Sequence, residues 1–542
     1  MIYYTCKYAP VEMMAGFGQT CERLDPNPAN FECVDSCAHQ NLCGFAKAVI
    51  EEIHQKKIKE LIITDCCDSM RRINDVLKNS GWLDFLYFLP LPHTGGEKFF
   101  AKELENLCEA YSEYSGIPFD LDKALAAFQP PQKEPSGPYI RFTGAHGGHM
   151  LKKRVEATFP GIPIVDDTCT GNRAMERVAD ADNFFEDYAE ILLHQKACMR
   201  MWNVRNRTML HPPIGTIYHT IKFCDYYGFE YMNMKEDTKM PLLKIETDTT
   251  PQSSGQIKTR LDAFAETVTN NVEDLHVNID RDHFLVAGID SGSTSTDVII
   301  MNEKQDILAS TIVPTGAGAT RTARQALDLA LNSAHKTIDD IDLVVTTGYG
   351  RENIAANTMS ITEITCHAKG AHYLDPKAKT VIDIGGQDSK VIRIDEDGRV
   401  ENFVMNDKCA AGTGRFLDMQ ARALEISLKE MSALGLEWKK DVTISSMCTV
   451  FAESEVVSLV AENVATPDII HGLNKAVASK TATLVTRVKG EPEYIMTGGV
   501  AQNKGVVTCL EEKLGAKIFI SSQAQSCGAI GAALLGIEAI QR

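Results

Sequence analysis

Cys409 and Cys448 carry the pattern in this chain with the most chemistry in it. Cys409 stands in MNDKCAAGTGRF and Cys448 in ISSMCTVFAESEV, each just ahead of a stretch that reads as a helix. A helix N-terminus presents unpaired backbone N–H groups and a partial positive charge, so it suits an anion. A thiolate-ligated iron–sulfur cluster is such an anion, and it usually takes four cysteines. Two thiols per chain, doubled by a two-fold axis, make four, which points to one cluster shared between two subunits. The alternative is a pair of ordinary buried thiols, a common fate of cysteine.

The elements that must position these thiols read as an ATPase frame. HFLVAGIDSGSTSTDVIIMN is a strand, a tight turn and a second strand. Gly292 lets the backbone approach a phosphate, while Ser293 and Thr294 supply N–H and hydroxyl donors. Asp290 lies at the strand end, where a carboxylate can hold Mg2+ directly or through water. KTVIDIGGQDSKVIRID repeats the idea, with Asp383, Gly385, Gly386 and Gln387 after an apolar strand. In YIMTGGVAQNKG, Gly498 and Gly499 precede a helix, apt for packing an adenosine. A lone glycine turn is often a hairpin, but three in this order, each after a β-rich apolar run, are specific. No GxxxxGK[ST] occurs, so this is not a P-loop protein.

On these segments, together with TTGYGR, ITEITCHAKGA and CTVFAESEV, residues from about 284 to 542 resemble the activators of 2-hydroxyacyl-CoA dehydratases and the ATPase subunits of benzoyl-CoA reductases. The resemblance implies the actin, Hsp70 and sugar-kinase fold. It implies that Cys409 and Cys448, 39 residues apart, hold one 4Fe–4S cluster across a homodimer. It also implies an ATP-driven reductase that pushes one electron to a low-potential acceptor. A shared cluster and a nucleotide site follow from the residues themselves; their coupling comes from the resemblance.

Length and composition agree. The 542 residues suffice for several domains, and 44% hydrophobic content is that of a globular protein. A net charge of −18 argues against nucleic acid or an anionic membrane as partner. No apolar run reaches transmembrane length and the first residues form no secretory signal, so a cytoplasmic protein is expected. Sixteen cysteines in a reducing compartment read as thiols or metal ligands rather than disulfides.

The N-terminal half is a different module. KIKELIITDCCDSMRRINDVLK, GPYIRFTGAHGGHMLKKRVEATFPGIPIVDDTCTGNR and IYHTIKFCDYYGFEYMNMKEDTKMPLLKIETD alternate strands with helices, which predicts a parallel α/β sheet. The expected organisation is a module over 1–282, with lobes about 1–128 and 138–268 joined by a linker at 129–137, then the ATPase domain over 283–542. Cys66 and Cys67, Cys169 and Cys224 fall at strand ends, where open α/β sheets bind ligands. Cys33, Cys37 and Cys43 are expected ahead of another helix. His146 and His149, in GAHGGHM, read as surface histidines of a glycine-rich turn, and His367 as structural.

YTCKYAPVEMMAGFG, CGFAKAV, TDCCDSMRR, VDDTCTGNR, KFCDYYGFE and LLKIETD make this half similar to the D-component subunits of 2-hydroxyacyl-CoA dehydratases and to double-cubane cluster proteins. The likeness departs in the middle, where about residues 97–137 replace a longer helix-rich section that helps form that family's substrate pocket. By motif position Cys43, Cys67 and Cys224 correspond to the family's cluster ligands. Cys33, Cys37 and Cys66 are extra thiols for a larger or second cluster, while Cys169 and Cys198 read as packed core.

The expected function is an ATP-dependent low-potential electron-transfer protein. Asp290, Asp383 and Gln387 serve catalysis, ferredoxin or flavodoxin is the donor, and a dehydratase- or double-cubane-type protein is the acceptor. One alternative is a self-contained reductase acting on its own small molecule at an N-terminal cluster. Another is a non-redox ATPase or kinase with inert cysteines.

Overall fold

Apolar β-branched runs bounded by glycine and aspartate turns become the sheets of this protein, as a computed structural model shows. It describes all residues except 40, 93–95, 130–134, 170, 172, 174, 176, 196–197, 202–211, 239, 250–253, 270–276, 278, 280–281, 317, 349–357, 407–409 and 445–447. The chain divides into two units, Met1–Leu261 and Asp262–Arg542, with the division inside the helix Ser254–Thr269.

The N-terminal unit holds two four-stranded sheets built to one plan. In the first, β1 (Ile2–Tyr4), β2 (Cys21–Arg23), β3 (Glu60–Thr64) and β4 (Phe85–Leu89) lie in the order β2-β1-β3-β4, all parallel. In the second, β5 (Ile140–Gly144), β6 (Ile164–Thr168), β7 (Gly215–Ile221) and β8 (Leu242–Thr247) repeat it as β6-β5-β7-β8, again parallel. Strand β7 is buried at every position, as expected where helices cover both faces of a parallel sheet. Residues 97–137 contribute the helix Glu97–Ser115 and the short helix Leu121–Ala126. The first of these buries Phe100, Leu104, Leu107 and Tyr111 at helical spacing.

The C-terminal unit also repeats a plan. Its first sheet comprises β9 (Leu285–Ser291), β10 (Ser295–Asn302), β11 (Ile307–Pro314), β12 (Leu343–Gly348) and β13 (Thr358–Ser360), ordered β11-β10-β9-β12-β13. The second comprises β14 (Thr380–Ile384), β15 (Ser389–Ile394), β16 (Val400–Asn406), β17 (Tyr494–Thr497) and β18 (Ile518–Phe519), ordered β16-β15-β14-β17-β18. In each, the first three strands form an antiparallel meander and the last two add parallel to the first strand. Edge strand β11 alternates buried and solvent-facing residues, whereas β9 is buried almost throughout. This duplicated mixed sheet is the actin, Hsp70 and sugar-kinase fold. Among the described residues no helix is long and apolar enough to cross a membrane.

Candidate functional site

The loops leaving β9, β14 and β17 meet in one cavity of about 1570 Å3 in the C-terminal unit. Asp290, Gly292, Ser293 and Thr294 line it from the first loop, Asp383, Gly385, Gly386 and Gln387 from the second, and Gly498 and Gly499 from the third. Every residue expected from the sequence to serve catalysis or nucleotide binding therefore faces the same space. Glycine is required where these loops close. A Cβ on Gly348 (φ +85°) would lie 2.9 Å from Asp290 Oδ1, and one on Gly498 (φ +79°) would lie 2.9 Å from Asp383 Oδ1.

Sheet register sets the charges. Asp297 on β10 stands opposite Asp290, and Lys390 on β15 stands opposite Asp383. Lys390 Nζ lies 3.3 Å from Asp383 Oδ2, 2.9 Å from Asp388 Oδ2 and 3.2 Å from Glu363 Oε2, all of them buried. Burial works against the ammonium charge, but Asp388, Glu363 and Asp383 outweigh it and hold Lys390 well above its usual range. Burial likewise opposes ionisation of Asp383, yet His367 and Lys390 keep that carboxyl below the usual range. Asp297 has no such cation, and burial with the Asp290 charge pushes it up to about 7.

His367, expected to be structural, is part of the cavity wall. It projects from the helix Glu363–Leu374, with Nε2 3.4 Å from Asp290 Oδ2 and Nδ1 3.5 Å from Asp383 Oδ1. Burial disfavours its charge, but Asp383 and the hydrogen bond to Asp290 carry it well above the ordinary histidine range. Asp290 Oδ1 and Asp297 Oδ1 remain open acceptors, each buried with no hydrogen-bond partner. Mg2+ is commonly held by one or two carboxylates plus nucleotide phosphates, so this donor set fits it.

A backbone relay leads from the second loop towards the thiol at position 448. The N–H groups of Gly414 and Arg415 donate to the Gly385 and Gly386 carbonyls at 2.9 and 2.8 Å. They open the helix Gly414–Ala423, whose Gln420 Nε2 donates to the Thr449 carbonyl at 3.2 Å. Cys448 is exposed and caps the helix Thr449–Ala461. That helix buries Ala452 and Val456 but leaves Val450, Phe451, Val457 and Val460 about half exposed or more, with Phe451 at 66%. An exposed N-capping thiol fits a shared cluster ligand. Cys409 lies outside the described residues.

In the N-terminal unit the strand ends collect thiols. Cys43, Cys67 and Cys224 each cap a helix, at Gly44–Lys56, Asp68–Ser80 and Asp225–Asp237. They come from three separate loops yet feel each other's charge. Burial pushes Cys43 up to about 11, and raises Cys224 as well. Cys67 goes the other way. A hydrogen bond from Cys66, then the Arg200 guanidinium and the Met70 and Ser69 N–H groups, outweigh burial and draw it down to about 6. Arg200 Nη2 also lies 3.8 Å from Cys224 Sγ. Among the described residues no three or more His, Cys, Asp or Glu side chains close to metal-binding reach, so the thiols are gathered but open. Their chemistry as N-capping donors fits an iron–sulfur ligand set at three positions.

Cys33 and Cys37 precede the Gly44–Lys56 helix from a short helix of their own, Glu32–Cys37, where they lie one turn apart. There each responds to the other and to Glu51, not to Cys43, Cys67 or Cys224. His146 is not a surface residue: it is buried against Phe45, while His149 alone is exposed. A glycine-rich segment suggested exposure, but the turn follows a fully buried strand and folds inward.

Fold and cavity together define an ATPase of the actin and sugar-kinase class. Residues 287–536 match the model of the BadF/BadG/BcrA/BcrD ATPase family, and residues 6–134 and 129–268 match that of the 2-hydroxyglutaryl-CoA dehydratase D-component. The chain is 41% identical over 251 residues to the 2-hydroxyisocaproyl-CoA dehydratase activator of Clostridioides difficile, covering 46% of this chain and 94% of that protein. It is 48% identical over 250 residues to the (R)-2-hydroxyglutaryl-CoA dehydratase activating ATPase of Acidaminococcus fermentans, covering 46% and 95%. The crystal structure of component A of that dehydratase, also from A. fermentans, aligns with a TM-score of 0.45 at 46% identity, covering 47% of this chain and 99% of that one. The chain belongs to the BadF/BadG/BcrA/BcrD ATPase family, and its N-terminal half matches the D-component model.

Proposed function

We propose that this protein is an ATP-hydrolysing activase that couples nucleotide turnover to one-electron transfer from a 4Fe–4S cluster held by Cys409 and Cys448 of two subunits. The observation that carries this reading is the relay from Gly386 through the Gly414–Ala423 helix to the helix that Cys448 caps. A nucleotide that pulls on the Gly385–Gln387 loop pulls on the elements beside the thiols, a hinge with the nucleotide as selecting ligand. When bound, the cluster supplies a one-electron donor of low potential.

Within the cavity, Asp290 and Asp383 organise Mg2+ and the attacking water, with Gln387 beside them. Gly292 to Thr294 and Gly385 to Gly386 hold phosphate oxygens, and Gly498 and Gly499 pack the adenosine. Catalysis there is positioning plus charge neutralisation. The apolar face of the Thr449–Ala461 helix, next to Cys448, supports a homodimer that closes around the thiols. Ferredoxin or flavodoxin suits the role of donor. A dehydratase- or double-cubane-type protein suits that of acceptor, by analogy with what the relatives' names describe.

The gathered Cys43, Cys67 and Cys224 favour a second reading, in which the acceptor is an iron–sulfur cluster within the same chain and the protein is a self-contained reductase. Iron and acid-labile sulfide per chain, measured on anaerobically purified protein beside Cys409→Ala, test both readings. About two irons per chain, lost in the variant, mean the shared cluster alone. About six or more, falling by about two, mean an N-terminal cluster as well. Full iron in the variant refutes the ligand assignment, and colourless protein favours a non-redox ATPase.

A further inference from the structure

The two parallel sheets of the N-terminal unit enclose a second, smaller cavity that the proposed chemistry does not use. Three strands direct their carboxyl ends towards it: β2 ends at Arg23, β5 runs into Ala145–Gly148, and β8 ends at Thr247. That is where open parallel sheets place ligands. The cavity is about 140 Å3. This is room for only about four or five waters, and far below the roughly 300–1,000 Å3 that larger ligands need. An acyl-CoA does not fit; a group of a few heavy atoms does.

The lining is chosen for an anion. Arg23 and Arg154 bring two guanidinium groups to the wall, and among the described residues Arg154 has no carboxylate partner for its own. Asp25 is the one acid in the wall, and it is already engaged. Its Oδ2 accepts the His149 N–H at 2.6 Å at the start of the Gly148–Thr158 helix. His146 is the residue with least reason to be there. It is only 7% exposed, and its Nδ1 is buried with no hydrogen-bond partner. An unpaired buried nitrogen is destabilising, and a bound ligand or water would recover that loss. The ring cannot easily turn to find a partner, because it stacks on Phe45 at 3.6 Å with the planes 6° apart. Burial, then Arg200, Arg23 and His219, keep His146 well below the ordinary histidine range, so it offers a neutral ring that can donate from one nitrogen.

We infer that this cavity is a binding site for a small oxyanion, of the size of inorganic phosphate or a short carboxylate, held by Arg154 and Arg23 with His146 Nδ1 as an oriented partner. The site does not depend on the nucleotide cavity, which belongs to the other unit. Charge-assisted hydrogen bonds from arginine are strong and planar, so the ligand should be read by its oxygens.

The test is calorimetric titration of the full chain with sodium phosphate and with sodium acetate, against sodium chloride at equal ionic strength. The expected result is one saturable site for at least one of the two oxyanions, weakened at least about tenfold in Arg154→Gln, as loss of one charge-assisted bond predicts. Which probe binds tells phosphate from carboxylate. His146→Phe, which keeps the stack on Phe45 and removes the nitrogen, should weaken binding in the same direction. Arg154 sits half-exposed on a helix, so Arg154→Gln keeps the test valid if the histidine variant fails to fold. No saturable binding of either anion overturns the inference. So does binding that Arg154→Gln leaves unchanged, since an anion held in the nucleotide cavity would behave that way.

Discussion

Asp290 and Asp383 occupy equivalent places in two sheets built to one plan, but their cross-strand neighbours differ. Opposite Asp383 stands Lys390, which draws in Asp388 and Glu363 and makes a closed, buried ion network. Opposite Asp290 stands another acid, Asp297, and Asp290 keeps an oxygen with no partner. Glycines with positive φ pack against both aspartates in the same way. The duplication thus preserved the backbone and let the charges diverge. One half brings its own lysine to the aspartate. The other is left short of positive charge, and a low-dielectric site short of charge favours a cation from outside. His367 spans the two, within 3.4 Å of one carboxylate and 3.5 Å of the other.

The comparison can be broken first at the aspartates. Asp290→Asn and Asp383→Asn should each lower the rate of ATP hydrolysis by about 10²–10⁴-fold, the scale of a lost positioning or proton-handling group. Asp290→Asn, which loses the carboxylate with the open oxygen, should in addition raise the Mg2+ concentration needed for half-maximal rate, and by more than Asp383→Asn does. An equal Mg2+ shift in both would end the proposed division of labour.

A smaller effect concerns Lys390. Lys390→Met removes the lysine that pairs with three buried carboxylates, and breaking a buried network this way costs about 3–5 kcal/mol. The calorimetric transition of the C-terminal unit should fall in temperature and sharpen the contrast, because no substitution at Asp297 should cost as much.

Asp297→Asn gives the smallest change, and its sign depends on pH. Folding raises this carboxyl from 3.8 to about 7, so the folded state holds a proton that the unfolded state has lost between those values. The resulting stability is present below about pH 4 and disappears as pH rises through about 7. The asparagine variant has no proton to lose. It should match the parent near pH 4 and melt a few degrees higher than the parent at pH 8. A variant less stable at pH 8 would show that the Asp297 carboxylate is already paired.

Much of the site was legible because its parts are local. A glycine turn after an apolar strand announces itself within about ten residues, and Asp290, Gly292 to Thr294, Asp383, Gly385 to Gln387, Gly498 and Gly499 all belong to such turns. Cys43, Cys67, Cys224 and Cys448 were legible for a similar reason: each stands directly before a helical pattern, and each proves to be an N-cap. His367 and Lys390 were not, because a histidine within an amphipathic helix and a lysine within a strand look like many others. What distinguishes them is the carboxylates that other strands and helices bring to them. His146 was misread outright, since its local glycines suggest surface while the neighbouring helix that carries Phe45 buries it.

By itself, then, the sequence determined the order of the turns, the alternation of strands with helices and which thiols begin helices, because periodicity, glycine and capping act over a few residues. Only the tertiary structure decided which acid faces a lysine, which thiols share a site and that a buried histidine faces a small cationic cavity. Those outcomes depend on cross-strand register and on parallel strands far apart in the chain ending side by side.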